Sequence, residues 1–157
     1  MPQDTSFERV SHLIKRADID AKFGYQDFCT NEDSLENEPV EIMSNFTQKI
    51  LKSIDYEKIK KQRIENFNTL HKKLQKTNEL KIDINSSDVP MVYPYMIKKE
   101  GLRKHLINNE IYVAQYWQPL ESDTIEADFQ KYILPLPIDQ RYNKKDIQRI
   151  IEVIENA

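Results

Sequence analysis

Glycine is almost absent from this chain of 157 residues, in which only Gly24 and Gly101 occur. Nucleotide-binding loops of the GxGxxG and GxxxxGK types need several glycines, so the sequence excludes both. A single cysteine, Cys29, excludes an internal disulfide and fits a reducing compartment. No apolar run approaches the ~20 residues that span a bilayer, and the first residues lack the basic and apolar regions of a signal peptide. We therefore expect a cytoplasmic protein that does not engage a membrane.

Charge of neither sign dominates the composition. There are 23 lysines and arginines against 26 aspartates and glutamates, which gives a net charge of −3. This balance does not indicate a nucleic-acid-binding protein, so we expect no nucleic acid among the partners. Mean hydropathy is polar at −0.72, yet eight tyrosines, six phenylalanines and one tryptophan can fill a core.

Two regions are expected, residues 1–38 and residues 39–157. Apolar residues at helical spacing predict a short helix over residues 7–17. Residues 18–38 are acidic and show no regular period, so we expect an irregular arm or linker there.

The larger region is expected to begin with two helices. Apolar residues at every fourth position after Pro39 predict the first of them. Asp55 is a typical N-cap, and it predicts a long helix from Tyr56 to about Lys76. The solvated faces of this helix are basic but interrupted by glutamates, which favours a solvated surface over a nucleic-acid interface.

The second half of the sequence alternates between extended and helical segments. Period-two alternation predicts a strand over residues 80–84. The run over residues 89–97 contains two prolines, so it is expected to be kinked or to lie at a sheet edge. Residues 111–116 are predicted to form a strand, and residues 133–138 are predicted to be an extended segment rather than a helix.

Two further helices are predicted in this half. One covers residues 99–108, with Leu102, Leu106 and Ile107 facing inward. The last helix carries the clearest signal, an N-cap at Asn143 followed by Asp146 in an approximate capping box. The predicted fold class is therefore α+β, with a helical N-terminal half that contains one long helix, then a small mixed or antiparallel sheet with flanking helices.

The residues by themselves show no complete active site. The three histidines lie far apart and lack the spacing of zinc ligands, and Cys29 has no adjacent basic residue to activate it. Aromatic residues and prolines concentrate in three segments, around Tyr93 and Tyr95, around Tyr116 and Trp117, and around Arg141. Such segments are typical of the rim of a pocket or interface. The alternative is that these residues only terminate strands of a small sheet.

Several loose motifs, taken in order, resemble the C-terminal small domain of aminotransferases that use pyridoxal phosphate (PLP), of the DegT/DnrJ/EryC1/StrS type and fold type I. Residues 60–74 show the pattern KxxRxxNxxxLxxxL, and the run VPMVYPYMI follows. Residues 101–117 and 134–154 are also similar to segments of that family. The pair Met43-Ser44 resembles the family's MSx helix start.

The resemblance implies that the chain is a fragment, the last third of a larger enzyme. In that family the large domain carries the Schiff-base lysine and most phosphate contacts, so the chain is expected to bind no cofactor alone and to be inactive alone. In the parent, which holds PLP and forms a homodimer, it would help to close the substrate pocket and contribute dimer contacts. By the resemblance, Ser44 and Asn45 lie near the cofactor edge, and Tyr116, Trp117 and Arg141 face the substrate pocket. The alternative for each of them is a structural role, which for Ser44 is that of a helix N-cap.

One departure from the family leaves two alternatives for the parent. The family's Asn-x-Arg, which reaches the phosphate across the dimer, is replaced here by Val40, Glu41 and Ile42. The parent either belongs to a branch with altered cofactor contacts or has lost transamination.

A second function of a different class is a free-standing protein–protein interaction module. The basic long helix or the aromatic rim would bind another protein, and the acidic residues 18–38 would be the adaptable part.

Overall fold

The computed structural model describes residues 1–85, 87–116, 120 and 124–157. The chain divides into two compact units, Met1–Ile54 and Asp55–Ala157. The boundary expected between residues 38 and 39 stays a prediction.

The unit Met1–Ile54 is helical. Its elements are a 3-10 turn (Phe7–Val10), α1 (Ser11–Asp18), α2 (Tyr25–Ser34) and α3 (Asn45–Lys52). α1 and α2 pack against each other beside Gly24. A Cβ atom at Gly24 would lie 2.6 Å from the carbonyl oxygen of His12, so this close approach requires glycine.

The structure confirms the predicted first helix and corrects two other predictions in this unit. Residues 18–38 are not irregular throughout, because α2 lies within them. α2 is held to α1 by tertiary contacts, an ion pair between Lys15 and Asp27 at 2.7 Å and an edge contact of His12 with Phe28. These contacts leave no period in the sequence.

The next helix, α3, begins at Asn45 rather than near Pro39. The segment before it is extended, since Ile42 pairs with Gln3 in an isolated parallel bridge. Ser44 then starts the helix as its N-cap and accepts a hydrogen bond from the Thr47 N–H at 3.1 Å.

The unit Asp55–Ala157 combines helices with a two-stranded sheet, which confirms the α+β class. Its elements are α4 (Tyr56–Leu74), β1 (Val92–Met96), α5 (Leu102–Asn108), α6 (Ile125–Tyr132), β2 (Ile133–Pro137) and α7 (Lys144–Glu155). Asp55 caps α4 by accepting the Lys58 N–H at 3.0 Å, and Asn143 and Asp146 form the predicted capping box of α7. α6 was not predicted.

β1 and β2 are antiparallel, and their register explains how both tolerate proline. Pro94 lies opposite Pro135, so the two residues that lack an N–H share one position of the ladder. The outer edge of β1 is covered by Asn78, whose amide donates to the Pro94 carbonyl at 2.9 Å and accepts the Met96 N–H at 3.0 Å. The Glu79 N–H also donates to the Met96 carbonyl at 2.9 Å. The Asn78 side chain and this backbone group therefore take the place of a third strand.

The core lies between the sheet, α4, α5 and α7. Its fully enclosed side chains come from all of these elements: Phe67, Leu70, Tyr93, Tyr95, Leu106, Leu136, Ile138, Ile147, Ile150 and Ile151. The predicted isoleucine face of α7 is buried as expected. In α5, however, Ile107 is exposed, and the prediction that it faces inward is wrong.

The strands predicted over residues 80–84 and 111–116 are also wrong, because neither segment pairs with a strand. The alternation itself is present, since Ile111 and Val113 are buried and Tyr112 is exposed. The carbonyl groups of Val113 and Ala114 accept hydrogen bonds from Arg103 instead of from a neighbouring strand.

Candidate binding site

A buried asparagine of α4 holds the turn that follows β2. Asn66 is 3% exposed, and its amide donates to the carbonyl oxygens of Ile138, Asp139 and Tyr142 at 3.1, 3.3 and 3.0 Å. Gln62, one helical turn earlier, donates to the Asn66 side-chain oxygen at 3.0 Å. The turn over residues 138–142 is therefore fixed to the helix by one side chain.

This turn presents an ion pair between Asp139 and Arg141. Both carboxylate oxygens accept from the guanidinium, at 2.8 Å each, and one also accepts the Arg141 N–H at 3.0 Å. Burial alone would raise the pKa of Asp139, but hydrogen bonding to Arg141 and the charges of Arg141 and Arg63 outweigh it and lower that pKa. The same pair raises the pKa of Arg141.

An open groove of about 400 Å³ lies beside this turn, along the first half of α4. It is lined by residues of α4, of the segment before β1 and of the turn: Tyr56, Glu57, Ile59, Lys60, Arg63, Val89 and Gln140. The α4 residues follow helical spacing, so one face of the helix forms the floor. Tyr56, at the start of this face, is 57% exposed, so the first turn of α4 does not join the core.

Two cations contribute to the groove. Arg63 donates through Nη1 to the carbonyl oxygens of Pro90 and Met91, both at 3.4 Å, which ties the segment before β1 to the helix. Within the described part of the chain, neither Arg63 nor Lys60 has a carboxylate within ion-pair distance. The positive charge in the groove is therefore not neutralised by an ion pair there.

The structure brings one of the predicted pocket residues close to this region. Arg141 neighbours Gln140 on the clamped turn. Tyr116 is 46% exposed and ends the segment held by Arg103. Trp117 lies outside the described residues.

The two residues predicted near a cofactor lie at the start of α3. The Ser44 hydroxyl is buried, caps the helix and forms hydrogen bonds with the hydroxyls of Ser6 and Thr47. Asn45 is exposed and exchanges hydrogen bonds with the side chain of Gln3. The placement of Ser44 and Asn45 near the cofactor of the parent rests on the resemblance and stays a prediction.

The unit Met1–Ile54 offers a surface of a different kind. None of its hydrophobic side chains is buried, although every residue of the unit is described. Large apolar side chains are exposed on its helices and on the segments that connect them: Phe7, Leu13, Ile14, Ile19, Phe23, Tyr25, Phe28, Leu35, Val40, Ile42, Met43, Phe46, Ile50 and Leu51. We call this set the N-terminal apolar surface.

Other kinds of chemistry find little support in the described residues. They contain no group of three or more histidine, cysteine or acidic side chains arranged to hold a metal ion. None of their helices combines the length and the apolar character that crossing a membrane requires. His71 contacts the hydroxyl of the buried Tyr93 at 3.3 Å and stacks on Phe67, which is a core role.

A scan against protein-family models found no match for this chain, and searches of curated proteins and of solved structures found none either. The aminotransferase resemblance therefore stays a prediction from the sequence motifs.

The residues that build this site were only partly visible in the sequence. Arg141 was predicted from its aromatic and proline-rich surroundings, whereas Asn66 and Asp139 were not singled out for a function. The sequence does contain one indication that Asn66 is buried. It is a polar residue that directly precedes Phe67, an apolar residue on the core-facing side of α4. A buried amide at such a place needs partners, and here they are backbone carbonyl groups.

Proposed function

We propose that this chain is the C-terminal domain of a PLP-dependent aminotransferase-like protein of the DegT/DnrJ/EryC1/StrS type. Its role is to complete the substrate pocket and the dimer contacts of the parent. It is not catalytic alone.

The observation that carries the proposal is the contact between two of the motifs that resemble the family. Asn66 belongs to the KxxRxxNxxxLxxxL motif of α4, and residues 138–142 belong to the segment LPLPIDQRY. The three hydrogen bonds of Asn66 join the two. Residues singled out by resemblance in distant parts of the sequence thus form one rigid unit that presents Arg141.

Such a unit is suited to positioning a substrate rather than to making or breaking covalent bonds. A guanidinium held by a carboxylate can orient an anionic group of a substrate at little entropic cost, because its own rotamer is already restricted by the ion pair. PLP, when bound by the parent, supplies the electron sink for transamination. The residues of this chain would bind, orient and exclude water.

The first test is the coding sequence upstream of Met1. We expect an open frame that continues into a large α/β domain with a lysine after a strand. An in-frame stop codon directly upstream of a native start would contradict the proposal.

The second test uses the chain alone. After incubation with PLP and borohydride we expect no stable lysine adduct, because no Schiff-base lysine of the family is matched here. A single labelled lysine, located by peptide mass spectrometry, would contradict the statement that the chain is not catalytic alone.

The second candidate, a free-standing interaction module, is favoured by the N-terminal apolar surface. Light scattering tests the fragment proposal. If the chain is a fragment, the surface that faced the missing domain is bare and we expect self-association. A monodisperse monomer would count against a missing domain.

A further inference from the structure

We propose that the groove on α4 is a binding site for a small organic anion, a carboxylate or phosphate carried on an aromatic or aliphatic body. The proposal uses only residues of the unit Asp55–Ala157. It stands or falls independently of the aminotransferase proposal.

The size and composition of the groove fit such a ligand. Its volume of about 400 Å³ lies within the range of small-molecule sites, which are mostly apolar with a few placed polar groups. Tyr56, Ile59 and Val89 supply apolar walls, and Val89 is 45% exposed.

The charge of the groove determines the sign of the ligand. Lys60 and Arg63 line it together with one acidic residue, Glu57, so cations outnumber carboxylates in the lining. The described residues place no carboxylate in ion-pair contact with either cation. Both hydrogen bonds of Arg63 in the described structure use Nη1. The Nη2 and Nε donors therefore remain for an oxyanion, which a guanidinium binds through two parallel hydrogen bonds.

The groove is also preorganised. Arg63 ties the wall at Pro90 and Met91 to α4, and Asn66, three residues later, ties the wall that carries Gln140 to the same helix. A ligand that enters does not have to order either wall, so its contact energy is not spent on that step.

The experiment is a titration of the full chain with four probes, followed through the methyl NMR signals of Ile59 and Val89. Phenyl phosphate and phenylacetate combine an anion with a ring, benzyl alcohol carries the ring alone, and inorganic phosphate carries the charge alone. We expect saturable shifts with one or both aromatic anions, and affinities at least about tenfold weaker for the other two probes. The stronger of the two aromatic anions identifies the phosphate or the carboxylate as the preferred group.

The variants Arg63→Gln and Lys60→Gln test the cations. We expect Arg63→Gln to weaken the aromatic anion about tenfold and Lys60→Gln about threefold, with little effect on benzyl alcohol. Because Arg63 also holds the segment before β1, Lys60→Gln serves as the variant without a structural hydrogen bond. Lys72→Gln, on the exposed last turn of α4 and outside the groove, is the matched control. It should bind the probes as the unsubstituted chain does.

Two results would overturn the proposal. One is the absence of saturable shifts with both aromatic anions. The other is an equal affinity for benzyl alcohol, or an unchanged affinity in Lys60→Gln, since either would show that charge takes no part.

Discussion

Among the described residues of the unit Asp55–Ala157 seventeen hydrophobic side chains are buried, whereas the fully described unit Met1–Ile54 buries none. The first has a sheet and helices around a common core. The second has three short helices joined by polar contacts, such as the hydroxyl cluster of Ser6, Ser44 and Thr47 and the ion pair of Lys15 with Asp27.

This difference shows which interactions stabilise the folded structure of each unit. Burial of apolar surface is the dominant favourable term in folding, and exposed ion pairs contribute at most about 1 kcal/mol each. Short helices are marginal in water without an apolar face to pack. Asp55–Ala157 is therefore expected to hold its own structure, and Met1–Ile54 to depend on what covers its apolar surface.

The largest expected effect comes from a cavity in the core. Leu70 is fully buried, and Leu70→Ala should lower the free energy of unfolding by about 2–5 kcal/mol. Leu13, 55% exposed on α1, is the matched control, and Leu13→Ala should change it by less than about 0.5 kcal/mol. Urea denaturation followed by circular dichroism measures both. Equal losses of unfolding free energy in the two variants would contradict the conclusion that the buried core lies in Asp55–Ala157 and not in Met1–Ile54.

The second prediction concerns the asparagine that holds the turn. Asn66→Ala leaves three carbonyl groups without this donor, and we expect a loss of about 1–3 kcal/mol with faster amide exchange over residues 138–142. Asn68→Ala, at an exposed position of the same helix, is the matched control. It should change neither the free energy of unfolding nor the amide exchange over residues 138–142. An unchanged exchange rate in the turn would show that Asn66 does not hold it.

The third prediction compares the helix caps of the two units. Asn143→Ala and Ser44→Ala should each cost about 1 kcal/mol locally. The loss at Asn143 should appear in the global unfolding of Asp55–Ala157, because α7 is part of the core. The loss at Ser44 should appear only as faster exchange in α3. Hydrogen exchange read by mass spectrometry distinguishes the two, and a global effect of Ser44→Ala would place α3 in a cooperative core.

The smallest effect is a pH dependence. Because the folded-state pKa of Asp139 is lowered, its contribution is present above the unfolded pKa of about 3.9. It is lost as the pH falls through the lower folded value. At pH 7 Asp139→Asn should destabilise by less than about 1 kcal/mol, since Arg141 is 58% exposed.

The difference in free energy of unfolding between the unsubstituted chain and Asp139→Asn should therefore shrink as the solution is acidified below pH ~4. Denaturation midpoints at a series of pH values measure it. A difference that grows on acidification would have the wrong sign.

Much of the fold of Asp55–Ala157 could be predicted because its signals are local. The cap at Asp55, the capping box of Asn143 with Asp146 and the isoleucine period of α7 each depend on residues within one helical turn. The extended segments with their prolines are local as well. The aromatic and proline-rich surroundings that pointed to Arg141 belong to the same kind of signal.

What could not be predicted depends on partners distant in the chain. Period-two alternation over residues 111–116 indicates an extended segment, but it does not indicate whether a strand lies beside that segment. Here the carbonyl groups of Val113 and Ala114 accept hydrogen bonds from Arg103 instead of from a strand. α2 is held by contacts with α1 that leave no period. Asn66 gains its role only because folding brings residues 138–142 against α4.

The sequence by itself determined where most helices begin, which segments are extended and that the fold is α+β, since caps, prolines and periodicity act over a few residues. Only the tertiary structure decided that the first turns of α4 border an open groove instead of the core. It also decided that Asn66 joins two distant motifs, and that the hydrophobic residues of Met1–Ile54 stay exposed. These outcomes depend on which surfaces meet, and a hydrophobic residue carries the same pattern whether or not another surface covers it.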